Sequence, residues 1–214
     1  MNILAFDTTA TRLSVGFMKN GNLEGFATAE GLRHAEILIS AIEAALAKAG
    51  SSLGETDLFA CSRGPGSFMG LRIGLATAKG LSLATAKPWV SVSYLDAAAA
   101  AYKGEDLAVP LIDARKNRVY ASMYRKGLRI GEYLDIPVSG LIEALAQGDR
   151  VSFLGPDAEL VRDYCAERAG FTILQEDPQA AMAAMCILAE STLALEGSGS
   201  PESGPMYLRE PDIG

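Results

Sequence analysis

The sequence predicts an α/β protein of two tandem lobes, each with a mixed sheet and crossover helices. The first observation is a repeat, in which Asp7 and Gly21 become Asp113 and Gly127 when 106 is added to each number. The second is that the predicted elements follow in the same order after each copy. With 214 residues, 49% of them apolar, the chain is long enough to bury a core in both lobes.

A strand, a turn and a second strand open each copy. The apolar run NILAFD leads into a Thr8-Thr9 turn and then into RLSVGFMKNG, whose apolar residues alternate with smaller or polar ones. Asn20-Gly21 has the composition of a tight hairpin turn, and residues 23 to 28 form a third predicted strand. The first lobe therefore begins with three antiparallel strands.

Helices and single strands alternate after these strands. Residues 33 to 49 carry apolar side chains at helical spacing and end at Gly50. The apolar run DLFACS then leads into a glycine-rich loop and a helix over 68 to 86. The strand WVSVS and a helix over 93 to 103 complete the predicted first half.

The second half repeats this order. It contains, in sequence, a helix near 139 to 147, the strand VSFLG, a helix over 157 to 169, the strand FTIL and a long helix over 178 to 196. We expect lobes at 1 to 105 and 106 to 214, with a tail from about 197 that begins with the linker-like GSGSPESG. Two lobes of this kind are the plan of the actin, sugar kinase and Hsp70 superfamily, an actin-like (ASKHA, ribonuclease H-like) fold.

Composition narrows the classes of function. A formal charge of -7 and a pI near 4.8 argue against a protein that binds nucleic acid by itself. Three widely spaced cysteines in apolar sequence indicate buried free thiols in a reducing compartment. Without a signal sequence or an uninterrupted apolar run of about 20 residues, we expect a cytoplasmic protein with no membrane contact.

The superfamily plan makes Asp7, Thr8, Thr9 and Asp113 a candidate nucleotide site. In such folds the hairpins of the two lobes hold phosphates and a metal ion, and Asp followed by hydroxyls suits that chemistry. The alternative is that both aspartates cap tight turns. The second lobe also lacks a glycine-rich run for the adenosine.

Other catalytic sites find little support in the sequence. His34 is the single histidine, so a helical His pair for zinc is absent. Ser67 lies in GPGSFMG, which differs from the G-x-S-x-G elbow, and no Gly-Lys-Ser/Thr closes the loop as a Walker A motif. We therefore predict no metal site and no catalytic residue.

Small and apolar residues on two helices predict a partner surface. Gly70, Gly74 and Ala78 form one row at a spacing of four, and Ala76, Gly80 and Ala84 form another. Such rows let a second helix approach closely. The helix over 33 to 49 carries two adjacent apolar stripes, one more than a sheet can cover. The predicted interface residues are His34, Ile37, Leu38, Ala41, Ile42, Ala45, Gly70, Leu71, Gly74, Leu75 and Ala78. The alternative is that these two helices merely bury each other.

Four segments together resemble the bacterial TsaB (YeaZ) family. They are ILAFDTT, GPGSFMGLRIGLATAKGL, DARKNRVYASMY and PMYLR, and they sample nearly the whole chain. Met69 departs from the family pattern, which usually has Thr within GPGSFTGLR. The change removes a hydroxyl and leaves a packing role for this segment unaffected.

The resemblance implies a noncatalytic subunit for the synthesis of threonylcarbamoyladenosine at position 37 of tRNAs that read ANN codons. It implies pairing with the catalytic relative TsaD, or with a second copy when alone, through helices of the first lobe. It also implies assembly with the ATPase TsaE, with tRNA contacted only indirectly. No cofactor is expected, and ATP or ADP with magnesium would bind only in the complex. Two alternatives stay open: a small-molecule kinase or ATPase using Asp7 and Asp113, and a protease acting on TsaD.

Overall fold

The computed structural model describes residues 1–31, 33–146 and 148–210 and begins with a five-stranded sheet. Its strands are β1 (Ile3–Asp7), β2 (Arg12–Lys19), β3 (Asn22–Glu30), β4 (Leu58–Ser62) and β5 (Trp89–Val92). They lie in the order β3-β2-β1-β4-β5. The β1-β2 and β2-β3 pairs are antiparallel, whereas β4 pairs in parallel with β1 and β5. The sheet is thus mixed, as predicted.

A second sheet repeats the first. Its strands are β6 (Leu107–Arg115), β7 (Arg118–Ala121), β8 (Tyr124–Arg125), β9 (Leu128–Arg129), β10 (Leu134–Pro137), β11 (Val151–Leu154) and β12 (Phe171–Ile173). The path β10-β7-β6-β11-β12 matches β3-β2-β1-β4-β5 strand for strand, with the β8-β9 hairpin beside β6. The α/β fold class predicted from the repeat is confirmed.

Six α-helices connect and cover the strands in the part of the chain that the structure describes. They are α1 (His34–Lys48), α2 (Phe68–Thr85), α3 (Tyr94–Ala101), α4 (Val138–Ala144), α5 (Arg162–Glu167) and α6 (Pro178–Glu196). The helix predicted over 157 to 169 begins instead as a 3-10 helix, Ala158–Val161, before α5. The bounds of α6 agree with the sequence because Asp177 accepts bonds from two first-turn amides and Pro178 occupies the first turn.

The last helix of each half packs between the sheets. Helix α6 contacts β1, β2 and β5 of the first sheet, although it follows the second sheet in sequence. Helix α3 contacts α6 and β6. The largest hydrophobic cluster therefore joins residues of both halves, among them Ile3, Met182 and Ile112. The lobe boundary after residue 105 stays a prediction, and it lies in the connection between α3 and β6.

Helix α6 also has the length and apolar composition of a membrane-spanning helix. Its residues Met182, Met185 and Cys186 are fully buried in the core between the sheets. A core helix satisfies the same criteria, so this resemblance is weak evidence for a membrane segment.

Candidate functional site

The turn after β1 holds the first three predicted site residues. The Oδ1 atom of Asp7 accepts hydrogen bonds from the Thr9 hydroxyl at 2.7 Å, from the Thr9 amide at 3.2 Å and from the Ser62 hydroxyl. The Thr8 hydroxyl donates to the Gly70 carbonyl oxygen at 2.7 Å. The side chains of this turn thus bind one another and the start of α2.

Burial changes the acidity of Asp7. The side chain is almost fully buried, which raises the pKa of its carboxyl above the ordinary value of 3.8, against the opposing effect of its three hydrogen bonds. The nearby Glu176 raises it further. Glu176 itself accepts a hydrogen bond from the Tyr94 hydroxyl at 2.5 Å and pairs with Arg12. This buried network connects the first hairpin to the segment before α6.

The equivalent turn of the second lobe is built differently. Asp113 accepts bonds from the amide of Arg115 at 2.7 Å and from its guanidinium at 3.0 Å. Its own amide donates to the Asp157 carboxylate at 2.8 Å. Burial raises the pKa of Asp157, and the bond from Asp113 opposes that rise. Asp113 and Asp157 are therefore both engaged in hydrogen bonds within the second lobe.

A cleft of about 370 Å³ lies between the two hairpins and the glycine-rich loop. Thr9 and Asp113 line it, whereas Asp7 and Thr8 are absent from its walls. The other lining residues are Ala10, Thr11, Gly66, Ser67, Phe68, Met69, Ala114, Arg115, Tyr120, Asp157, Met206, Tyr207, Leu208, Arg209 and Glu210. The structure thus brings together two of the four predicted nucleotide-site residues.

The C-terminal tail forms one wall of this cleft and bridges the two halves. On the first half, the Met206 amide donates to the Arg63 carbonyl oxygen at 2.7 Å, and the Tyr207 ring lies 5.0 Å from that of Phe68. On the second half, the Arg209 guanidinium donates to the Ala114 carbonyl oxygen at 2.8 Å. The tail thus contacts both halves of the fold.

These contacts do not fit a magnesium–nucleotide site. A metal ligand needs a free oxygen facing the cleft, yet Asp7 is buried away from the cleft walls and Asp113 is neutralised by Arg115. Within residues 1–31, 33–146 and 148–210, no three His, Cys, Asp or Glu side chains come together as a metal site. The alternative that Asp7 and Asp113 help to form tight turns agrees better with the geometry.

The glycines at the start of α2 allow close packing inside the first lobe. A Cβ added at Gly70 would lie 1.8 Å from the Thr8 carbonyl oxygen, and one at Gly74 would lie 2.7 Å from the Thr8 hydroxyl oxygen. Both positions need a residue without a side chain because α2 lies directly on the turn after β1. This row therefore packs within the lobe.

Nine of the eleven predicted interface residues are buried inside the first lobe. They are His34, Leu38, Ile42, Ala45, Gly70, Leu71, Gly74, Leu75 and Ala78. They lie in the core of the lobe or against the turn after β1, so we correct their placement to core positions, and their contact with a partner stays a prediction. Ile37 and Ala41 are half-buried at the edge of the same core. The existence of a partner surface on these helices stays a prediction.

The opposite side of α2 is open. We call Met69, Arg72, Ala76, Gly80 and Leu83 the outer α2 face, because all five are exposed and three or four residues apart. Leu83 is 87% exposed and Met69 is 62% exposed. A Cβ added at Gly80 would meet no atom within 4 Å.

Sequence reasoning missed the tail and the charged residues that line the cleft beside Asp113. The tail segment PMYLR was noted for its family resemblance, which was the only signal for its role. Asp157 is accessible from the repeat, because it follows Gly155-Pro156 as the glycine loop follows Gly64-Pro65. Both glycines adopt positive φ, at 112° for Gly64 and 92° for Gly155.

Comparison with known proteins identifies the family. The family model "TsaD: tRNA N6-adenosine threonylcarbamoyltransferase" matches residues 29–197. The tRNA threonylcarbamoyladenosine biosynthesis protein TsaB of Escherichia coli is 33% identical over 129 residues, which cover 59% of this chain and 56% of that protein. The chain thus matches little more than half the length of this curated relative.

Solved structures agree with the fold. A Pseudomonas aeruginosa protein described as similar to peptidase YEAZ superposes with a TM-score of 0.76 at 25% identity, covering 97% of this chain and 99% of that one. Component A of (R)-2-hydroxyglutaryl-CoA dehydratase from Acidaminococcus fermentans reaches 0.57 at 12% identity, covering 91% and 99% of the two chains, and shows the shared fold alone. The chain belongs to the TsaD family of the matching model, and within it is a TsaB/YeaZ protein.

Proposed function

We propose that this chain is a noncatalytic subunit in the biosynthesis of threonylcarbamoyladenosine at position 37 of tRNAs that read ANN codons. The name of the Escherichia coli relative supports the pathway. In this proposal the chain acts in the cytoplasm, binds TsaD, joins a complex with the ATPase TsaE, and contacts tRNA only through that complex. It pairs with a second copy of itself when TsaD is absent.

The observation that carries the proposal is the outer α2 face. An exposed helix surface with Ala76 and Gly80 at its centre lets another backbone come close, and Leu83 and Met69 add exposed apolar area at its two ends. Helix α1 lies beside α2, with Ile37 half-buried along its edge. Helix-to-helix contact with a partner would bury this area.

The state of the polar residues supports a noncatalytic role. The Asp7 carboxylate is occupied by hydroxyls of its own lobe. The single histidine, His34, is buried, with its Nε2 atom 3.3 Å from the Thr11 carbonyl oxygen. A general base must reach its substrate, and neither residue lies among those that line the cleft.

The mechanism would be a coupling between binding and activity. If TsaD is more active in the conformation that it adopts on this surface, binding shifts its population towards that conformation. The chain then needs no residue at the reacting atoms. A nucleotide with magnesium would bind only at a site that the complex completes.

An arginine placed on the outer α2 face tests the proposal. Ala76→Arg adds a long charged side chain at an exposed helical position, and Ala194→Arg makes the same change at an exposed position of α6. We expect Ala76→Arg to abolish association with TsaD in size-exclusion chromatography with light scattering, and to reduce threonylcarbamoylation in the reconstituted system. Ala194→Arg should do neither, and both variants should unfold at the wild-type temperature.

Two results would contradict the proposal. Undiminished binding of TsaD by Ala76→Arg would show that another surface carries the contact. Turnover of ATP with magnesium by the isolated chain, lost in a Thr9 variant that still folds, would instead support the kinase or ATPase alternative, since Thr9 lines the cleft.

A further inference from the structure

We propose that a cavity beside the C-terminal tail, lined by Arg63 and Arg129, binds a phosphate group. The cavity has a volume of about 580 Å³ and is separate from the cleft between the hairpins. Its walls come from Arg63 directly after β4, from β5, from β9 and the segment that follows it, and from residues 203–206 of the tail. The proposal is independent of the scaffold function and of the outer α2 face.

Arg63 is held at this place by its main chain. Its amide donates to the Val92 carbonyl oxygen at 3.0 Å, and its carbonyl oxygen accepts from the Met206 amide at 2.7 Å. The Nε atom of its side chain is buried and has no hydrogen-bond partner. Because the Nε atom is enclosed by the protein, an oxyanion in the cavity would be attracted by the positive charge of the Arg63 side chain that lines it, and not bound by Nε itself.

Arg129 approaches the same cavity from the β8-β9 hairpin. Its guanidinium carbon lies 4.0 Å from the centre of the Tyr133 ring, and this stacking restricts the side chain. The Tyr133 hydroxyl in turn donates to the Asp96 carboxylate at 2.6 Å. Both arginines therefore meet at one anchored tyrosine, because the Arg63 guanidinium also lies close to the Tyr133 hydroxyl.

The charge of the cavity favours an anion. In the described part of the chain, Arg63 and Arg129 form no ion pair, whereas Arg118, Arg125 and most other arginines do. Glu132 is the one acidic residue that lines the cavity among the described residues, and the Asp96 carboxylate, bound by the Tyr133 hydroxyl, lies outside its walls. The net positive charge stands out in a chain of formal charge -7.

Phosphate suits these donors better than a halide does. A guanidinium presents parallel N–H groups that match two oxygens of a tetrahedral oxyanion, and the Ser91 side chain lines the same space. The cavity is wide enough for a phosphate that carries a substituent. Such a group could come from a free phosphate compound or from the phosphodiester backbone of RNA, and the recognition chemistry is the same.

Nuclear magnetic resonance with inorganic phosphate tests the site. Phosphate replaces chloride at constant ionic strength, and the signals followed are the Arg63 Nε–H and the backbone amides of 203, 204 and 206. We expect shifts that saturate with phosphate concentration. Arg129→Gln should lower the affinity for phosphate about tenfold, which corresponds to the loss of one charge-assisted hydrogen bond. Arg125→Gln is the matched control, because it removes the same charge from the same hairpin at a residue that pairs with Asp149 instead.

Two more arms complete the test. Arg63→Gln removes the other positive charge that lines the cavity, and it should weaken phosphate binding as much as Arg129→Gln does. The second arm adds a short single-stranded oligoribonucleotide. If it shifts the same signals at a lower concentration than phosphate does, the natural ligand is the RNA backbone. If it binds no more tightly than phosphate, the natural ligand is a free phosphate compound. Shifts that never saturate, or that are equal in the Arg129→Gln, Arg63→Gln and Arg125→Gln variants, would overturn the proposal.

Discussion

Substituting Gly70 by alanine tests whether the small residues of α2 serve packing inside the lobe. The added Cβ would lie 1.8 Å from the carbonyl oxygen of Thr8 and 3.0 Å from its carbonyl carbon. These are main-chain atoms of a turn fixed between β1 and β2, so no side-chain rotation relieves the overlap. Either α2 or the turn has to move.

The cost follows from three effects. Overpacking of a core position costs roughly 1 to 3 kcal/mol. Separation of α2 from the turn also lengthens the 2.7 Å bond from the Thr8 hydroxyl to the Gly70 carbonyl oxygen, which removes about 1 kcal/mol. The better helix propensity of alanine returns about 1 kcal/mol. We therefore expect a net loss of about 2 kcal/mol, a large share of the roughly 5 to 15 kcal/mol that stabilises a typical domain.

Urea unfolding followed by circular dichroism measures this loss, and Gly80→Ala is the matched control. Gly80 belongs to the same helix, is exposed and has no atom within 4 Å of an added Cβ. There the substitution should stabilise the protein by up to about 1 kcal/mol. If Gly70→Ala unfolded at the wild-type urea concentration with an unchanged slope, the packing of Gly70 on Thr8 would be refuted. The buried row would then again be a candidate for partner contact.

Two further predictions concern Asp7 and the tail. Since the folded-state pKa of Asp7 is raised above 3.8, the folded state holds a proton that the unfolded state has lost, and ionisation of this carboxyl lowers stability as pH rises. Asp7→Asn, which keeps an acceptor oxygen, should therefore gain stability relative to wild type as pH increases from about 4 to 7. A urea-unfolding series across this range measures the difference, and a constant difference would contradict the reasoning. Arg209→Ala removes the bond to the Ala114 carbonyl oxygen. Because Arg209 is partly exposed, we expect the free energy of unfolding to fall by at most about 1 kcal/mol. Hydrogen exchange at the Met206 amide should nevertheless become faster. Unchanged exchange at this amide would show that the tail is held without Arg209.

The order of strands and helices along the chain could be predicted because the chain contains its fold twice. The strand-turn-strand unit occurs twice, with Asp7 and Asp113 at equivalent places. The elements predicted in one half could therefore be checked against those predicted in the other. The bounds of α6 were equally accessible, since Asp177 and Pro178 mark a helix start by local chemistry. Both successes rest on short-range patterns.

The positions of long-range contacts could not be predicted in the same way. Periodicity showed that α2 has two small-residue rows, but both are apolar or neutral, so it could not show which row faces the core. The packing of α6 on the first sheet has no local signature, because a buried helix looks alike whichever sheet covers it. The tail over 205 to 210 is held by the Met206 amide and by the Tyr207 and Arg209 side chains, and the linker-like segment before it gives no hint of these contacts.

The two rows of α2 show how one composition serves two purposes. At Gly70 and Gly74 the absence of a side chain lets the turn after β1 rest on the helix, and the space is already filled by Thr8. At Ala76 and Gly80 a small or missing side chain leaves a shallow surface, and no atom of the described residues lies within 4 Å of a Cβ added at Gly80. A helix that needed only the first contact could carry large polar residues on its outer side at no cost in packing. That it carries Ala76 and Gly80 between Arg72 and Leu83 is why we assign the outer α2 face, and not the buried row, to a partner.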